Sequence, residues 1–307
     1  MMKKTSPDTH QACRSLLQKA VRRRNIPLVE KVARHLNDIK DTAWLKRRTA
    51  VIVFEECWPM GSELRYPLTF EESLRILKLV AESVKMKDAT GLGSLAYELS
   101  EGATSILTGE PEDRHIKWVA QAIKNPEGFW KWAIENSSAN GLVTQFVLNT
   151  KEAQRRGGWP WDLAFMQAAA YLAVTEEGSL VCEPSQTALE CPLWVALDKH
   201  TSQGKEALRK AAQSLKIPYR QLTWINFYCE SALTNESTQS YWWSREVTWR
   251  LNGVGLTIEQ AKNIWQEARI IVEETLKEET RELEGHFTPD VITKEESQQP
   301  DQLSLFS

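Results

Sequence analysis

Apolar residues recur along this chain at helical spacing, and almost nowhere do they alternate as in a half-buried strand. Ser6-Pro7 offers a cap and a first-turn proline, after which Leu16, Leu17, Ala20 and Val21 follow helical spacing. Leu28, Val32 and Leu36, four residues apart, mark a second helix. A third starts near Thr42 and is apolar at Trp44, Leu45 and Val51 to Phe54, with helical spacing running through that last stretch. Thr69-x-x-Glu72 and Thr257-x-x-Gln260 are capping boxes, in which each side chain accepts the other residue's backbone N–H. Asn125-Pro126 and Trp159-Pro160 read as further helix starts. The pattern predicts an all-α fold of roughly a dozen helices. The last long helix is expected over Thr257 to Glu284, with Ile258, Ala261, Trp265, Ala268 and Val272 on one stripe. That stripe is short for a coiled coil, so it is expected to pack on the body.

After Gly285 the periodicity dissolves. The predicted organisation is a helical body over 1–285, with a basic subregion over 1–60, and a tail over 286–307. Pro289, Ser297, Gln298, Gln299 and Pro300 leave the tail too little apolar surface to offset the entropy of ordering it, so a flexible tether is expected.

The chain has 307 residues and a formal net charge of −3, so no global basic field demands nucleic acid. No apolar run approaches the roughly 18 residues of a membrane span, and Met1 to His10 lack an apolar signal region; the expected compartment is the cytoplasm. Charge is nevertheless uneven. Lys and Arg outnumber Asp and Glu over the first sixty residues, whereas Glu273, Glu274, Glu278, Glu279, Glu282 and Glu284 crowd the end of the last helix. The five cysteines form no C-x-x-C pair, and Cys182, Cys191 and His200 match no standard zinc spacing, so free thiols and no cofactor are expected. Tryptophan is unusually frequent, with 13 in the chain.

Gln302-Leu303-Ser304-Leu305-Phe306 stands at the end of the polar tail. Three large apolar side chains there have no core to join, and an extended peptide can enter another protein's groove. Leu303, Leu305 and Phe306 would fill apolar pockets, while the Gln302 amide can both donate and accept. The pentapeptide resembles the bacterial clamp-binding motif, Gln-Leu-Ser/Asp-Leu-Phe, at all five positions. Average residue usage makes a chance match at a given position on the order of one in several hundred thousand. The resemblance implies that these residues enter the hydrophobic cleft of the sliding clamp, the β subunit of bacterial DNA polymerase III. A bacterial or phage-infected cell is the implied setting, since the paired aromatics of the eukaryotic motif are missing.

A second resemblance lies in the basic subregion. Ser15 to Arg23, Ala33-Arg34-His35-Leu36, Trp44 to Arg48 and Ile52 to Glu56 follow one another in an order similar to the helical C-terminal region of the RarA/MgsA replication-recombination ATPases. Glu56 replaces an aspartate of that pattern, and Cys57-Trp58-Pro59 stands where a glycine is expected. In that family the region belongs to an oligomerising collar. The ATPase portion has no counterpart here, because no G-x-x-x-x-G-K-[ST] loop is present, and Gly91-Leu92-Gly93 and Gly253-Val254-Gly255 read as helix-end turns.

Lys19, Arg22, Arg23, Arg24, Arg47 and Arg48 are candidates to contact DNA, or Glu55 and Glu56 pair with arginines such as Arg22, Arg23 or Arg47 and hold helices in register. Arg155-Arg156-Gly157-Gly158-Trp159-Pro160-Trp161 has two readings as well. Its tryptophans anchor the core at a helix start, or its arginines take phosphates while Trp159 and Trp161 stack on bases. Tyr241-Trp242-Trp243-Ser244-Arg245 has the same two readings, with the core favoured in both. Asp198-Lys199-His200-Thr201 has residue types suited to acid–base chemistry, but adjacent residues diverge on a helix, so capping is expected. The expected function is that of a non-enzymatic replication or repair accessory protein that binds the clamp and touches DNA. The alternatives are a clamp-tethered nuclease and an oligomeric collar working with a separate AAA+ ATPase.

Overall fold

Two helices carry almost no polar face, and they form the centre of the molecule. The computed structural model describes residues 7–175, 180–185, 188–233 and 240–287. Helices α1 (Pro7–Arg22), α2 (Ile26–Asp38), α3 (Thr42–Glu56) and α4 (Phe70–Glu82) form the N-terminal part. Helices α5 (Asp88–Ser100), α6 (Asp113–Lys124), α7 (Pro126–Ser137), α8 (Gly141–Arg155) and α9 (Pro160–Thr175) follow. The chain then continues through α10 (Ser202–Ser214), α11 (Tyr219–Asn226), α12 (Tyr241–Asn252), α13 (Ile258–Thr275) and α14 (Lys277–Phe287). The fold is all-α, as the periodicity predicts, and no described helix is long and apolar enough to cross a membrane.

Helix α9 is buried from Ala164 through Ala173, as expected of a helix that is apolar all round. It lies against α5, which also packs on α6 and α12. Small residues on α5 permit this crowding. A Cβ on Gly91 would lie 2.2 Å from the Trp242 carbonyl carbon and 2.3 Å from the Trp243 nitrogen, and one on Gly93 would lie 2.8 Å from the Ala164 oxygen. The two glycines are therefore mid-helix contact points, which corrects their reading as a helix-end turn. Gly253 and Gly255 do sit at a helix end, where Gly255 takes φ +77°. Backbone atoms cannot yield as a flexible side chain would, so Gly91→Ala should cost about 3 kcal/mol or more. Scanning calorimetry should then show Tm lowered by roughly 6–10 °C. Gly141→Ala, where a Cβ meets nothing within 4 Å, should leave Tm nearly unchanged.

Both capping boxes form, at Thr69/Glu72 and Thr257/Gln260, and α7 and α9 begin at Pro126 and Pro160 as predicted. The expected long C-terminal helix is two helices, broken after Thr275. Ala261, Trp265, Ala268 and Val272 are buried against the body, where α13 packs on α10 and α11, whereas Ile258 is exposed. Helix α14 runs two residues past the predicted body boundary. Phe287 is buried and meets the His35 ring edge-on at 5.5 Å, tying the last described turn to α2. One hydrophobic cluster extends from Ala12 to Phe287, so the basic subregion shares its core with the rest of the body.

Candidate functional site

Helix α1 turns Ser15, Lys19 and Arg22 to one face by their spacing, and α3 does the same with Trp44, Arg47, Arg48, Val51 and Glu55. These faces line a cavity of about 1000 Å³. A further part of the wall is the loop of residues 156–159, which joins α8 to α9, together with Pro160, Trp161 and Asp162 in the first turn of α9. Gly157 turns this loop at φ +93°, and a Cβ on Gly158 would lie 2.9 Å from that of Asp162. The loop therefore folds back tightly, and Asp162 accepts the Trp159 N–H at 3.0 Å. Arg14, Lys87, Tyr97, Asp198, Lys199, Trp224, Phe227 and Trp243 also line it.

Ion pairs organise the inner wall. Lys19 Nζ lies 2.5 Å from Asp198 and 2.6 Å from the Ser15 hydroxyl, with all three residues buried. Burial lowers the Lys19 pKa, with Asp198 opposing the shift. Burial would raise Asp198, but Lys19 and His200 hold its carboxyl well below the usual range. Arg48 donates to Glu55 at 3.1 Å, to Asp162 at 3.0 Å and to Gln18 at 2.8 Å. Burial, reinforced by the neighbouring Glu55, raises Asp162 to about 6 despite Arg48. Glu56, just behind the wall, pairs with Arg22 at 2.5 Å and Lys87 at 3.3 Å. Burial pushes Glu56 up, but Arg22 and Lys87 outweigh it and bring the carboxyl down to about 2. Lys87 itself falls to about 8, chiefly by burial.

These shifts predict an acid limit to stability. A carboxylate whose folded pKa lies below its unfolded value stabilises the fold above the unfolded value and loses that contribution as pH falls through the folded one. For Glu56 the window runs from pH 4.5 down to about 2, and Asp198 acts in the same direction. The Glu56 contribution is on the order of 3 kcal/mol. Urea denaturation midpoints should therefore drop through this window, and Glu56→Gln should flatten the dependence. An equally steep profile in the variant would contradict the assignment.

The proposed DNA-contacting residues divide into three groups. Arg23 and Arg24 are buried, and Arg23 bonds the Glu230 carboxylate at 2.5 Å, so neither is available to a phosphate; this corrects their reading as contacts. Lys19, Arg22 and Arg48 do reach the cavity wall, but each is held by an internal carboxylate, close to the register role expected for such pairs. Arg22 pairs with Glu56, as one of the expected partners, whereas Glu55 pairs with Arg48. Arg47 is exposed and carries no ion pair among the described residues. Arg155 pairs with Glu152 outside the cavity, and Arg156 also pairs with Glu152 while lying 4.6 Å over the Tyr66 ring.

The two tryptophan-rich stretches also part company. Trp242 and Trp243 are core residues, as expected. Trp159 is 77% exposed and Trp161 37%, so the core-anchor reading of that loop does not hold. Trp161 is positioned by the Tyr97 ring at 5.8 Å and by Arg250 at 5.6 Å. Trp159 has no ring partner among the described residues. Thr201 caps α10 through the Gly204 N–H, in line with the capping expectation for that stretch.

Sequence reading did not bring Lys199, Trp224, Phe227 or Trp243 to the cavity. Lys199 stands 5.0 Å from the Trp224 ring and 4.5 Å from the Phe227 ring. Trp44 lies three positions before Arg47 on the same helical face, and that spacing was legible. Cys57 and Cys182 meet with sulfurs 3.0 Å apart as free thiols. Among the described residues no three His, Cys, Asp or Glu side chains converge to hold a metal ion. The clamp-motif residues Gln302, Leu303, Ser304, Leu305 and Phe306 lie outside the described residues.

No protein-family model matches the chain, and neither a curated protein nor a solved structure matches it.

Proposed function

We propose that this chain is a DNA replication or repair accessory protein of a bacterial or phage-infected cell that docks on the β sliding clamp through Gln302 to Phe306. The observation that carries the proposal is the five-position match of that segment to the clamp-binding pattern. The body's share is contact with DNA, supported by the cavity's cations and its exposed tryptophans. The protein acts by occupancy in the cytoplasm, either recruiting the body to the clamp or excluding other clients of the same cleft, rather than by catalysis. A short peptide that orders on binding is weak alone, roughly micromolar, and a body contact to DNA threaded through the ring adds effective concentration.

The test is binding of the full chain to purified clamp, beside a version lacking 302–307. Binding that disappears with the segment supports the proposal. Binding that persists without it, or no binding by the full chain, overturns it.

A further inference from the structure

We propose that the cavity between α1, α3 and the Arg156–Asp162 segment binds one unpaired nucleotide, with a base against its aromatic wall and a phosphate on its cationic rim. The proposal deepens the DNA-contact half of the functional reading and rests on it; the clamp half is independent.

The chemistry of the lining sets the ligand class. Cations in the wall outnumber carboxylates: Arg14, Lys19, Arg22, Arg47, Arg48, Lys87, Arg156 and Lys199 face Glu55, Asp162 and Asp198. The excess persists when Asp41, Glu56 and Glu152, which pair with Arg14, Arg22 and Arg156 from behind, are counted. An anion is therefore favoured, and Arg47, exposed and without an ion pair among the described residues, is placed to take it at the rim. Phosphate alone does not account for the rest of the wall. Trp159 offers an open ring face at the mouth, and Trp161 beside it is already held in place by Tyr97 and Arg250. Exposing so large an apolar ring costs solvation, and stacking on a base recovers it.

The volume, about 1000 Å³, is at the upper end for a small-ligand pocket and too small for a stacked duplex. A base must leave its stack to enter, which favours a single strand.

The experiment follows quenching of tryptophan fluorescence in the full chain by a thymidine oligonucleotide of about twenty residues, by a duplex of the same length and by thymidine monophosphate. The single strand should bind with strong salt dependence, and better than the duplex. Trp159→Ala should weaken it roughly tenfold or more. Arg47→Ala should weaken it and reduce the slope of log K against log salt by about one. Both side chains are exposed, so the fold should be retained, and an unchanged circular dichroism spectrum and thermal midpoint of the variants control for it. If the monophosphate saturates the site with the same sensitivity to both variants, the nucleotide chemistry is upheld with a free nucleotide as its source. Equal binding of single strand and duplex, indifferent to Trp159→Ala, would leave DNA contact standing and overturn the cavity proposal. Absence of binding by all three ligands would overturn both, with the clamp assay unaffected.

Discussion

Replacing Leu305 and Phe306 together by alanine should lower the affinity of the full chain for the sliding clamp at least about a hundredfold, because two apolar anchors at roughly 2 kcal/mol each would be removed. Surface plasmon resonance with the clamp immobilised measures this directly. Gln302→Ala should have a smaller effect, since an amide exchanges hydrogen bonds with water for hydrogen bonds with the cleft. A synthetic peptide of the last ten residues should compete with the full chain and with any polymerase that uses the same cleft. The helical content seen by circular dichroism should stay the same in all variants, because these residues follow the helical body. A double variant that bound like the parent would remove the basis for the clamp assignment.

The second large effect concerns the buried pair Arg23–Glu230. Glu230 sits in a π-helical turn over Phe227–Ser231, where the extra residue per turn directs its carboxylate to Arg23 at 2.5 Å and to Trp265 Nε1 at 3.0 Å. Arg23 is 1% exposed, and its Nη1 has no partner among the described residues. Glu230→Ala would leave that guanidinium buried without a counter-charge, at a cost of about 3–5 kcal/mol. The double variant Arg23→Met with Glu230→Leu should regain most of the loss, since removing both charges also removes their desolvation. Urea denaturation of the two single variants and the double variant closes the cycle. Additive single effects would show that the two residues do not stabilise the fold as a pair.

The same residues show why the basic subregion was hard to read from sequence. Lys19, Arg22, Arg23 and Arg48 have the residue types of a phosphate-binding face, yet each meets a carboxylate inside the body. Glu55 and Glu56 were visible as partners because they lie in the next helix but one. Asp198 and Glu230 were not, being 179 and 207 residues from Lys19 and Arg23. Arg47 and Arg48 are adjacent, and only the packing of α1 and α9 decides that one is held by three side chains while the other stays exposed. Trp159 and Trp243 likewise belong to similar local sequences and reach opposite environments.

By itself the sequence determined the helical class, the capping boxes, the proline-led starts of α7 and α9, and the clamp-like pentapeptide. All of these depend on groups within a few residues, where backbone hydrogen bonds and side-chain spacing act before any tertiary contact forms. The tertiary structure alone decided that Gly91 is a contact point between helices, that Arg23 is structural, and that Trp159 stands at the mouth of a cavity. Those outcomes depend on which distant surfaces are brought together, and on whether the charge or ring that arrives meets a partner before it meets water.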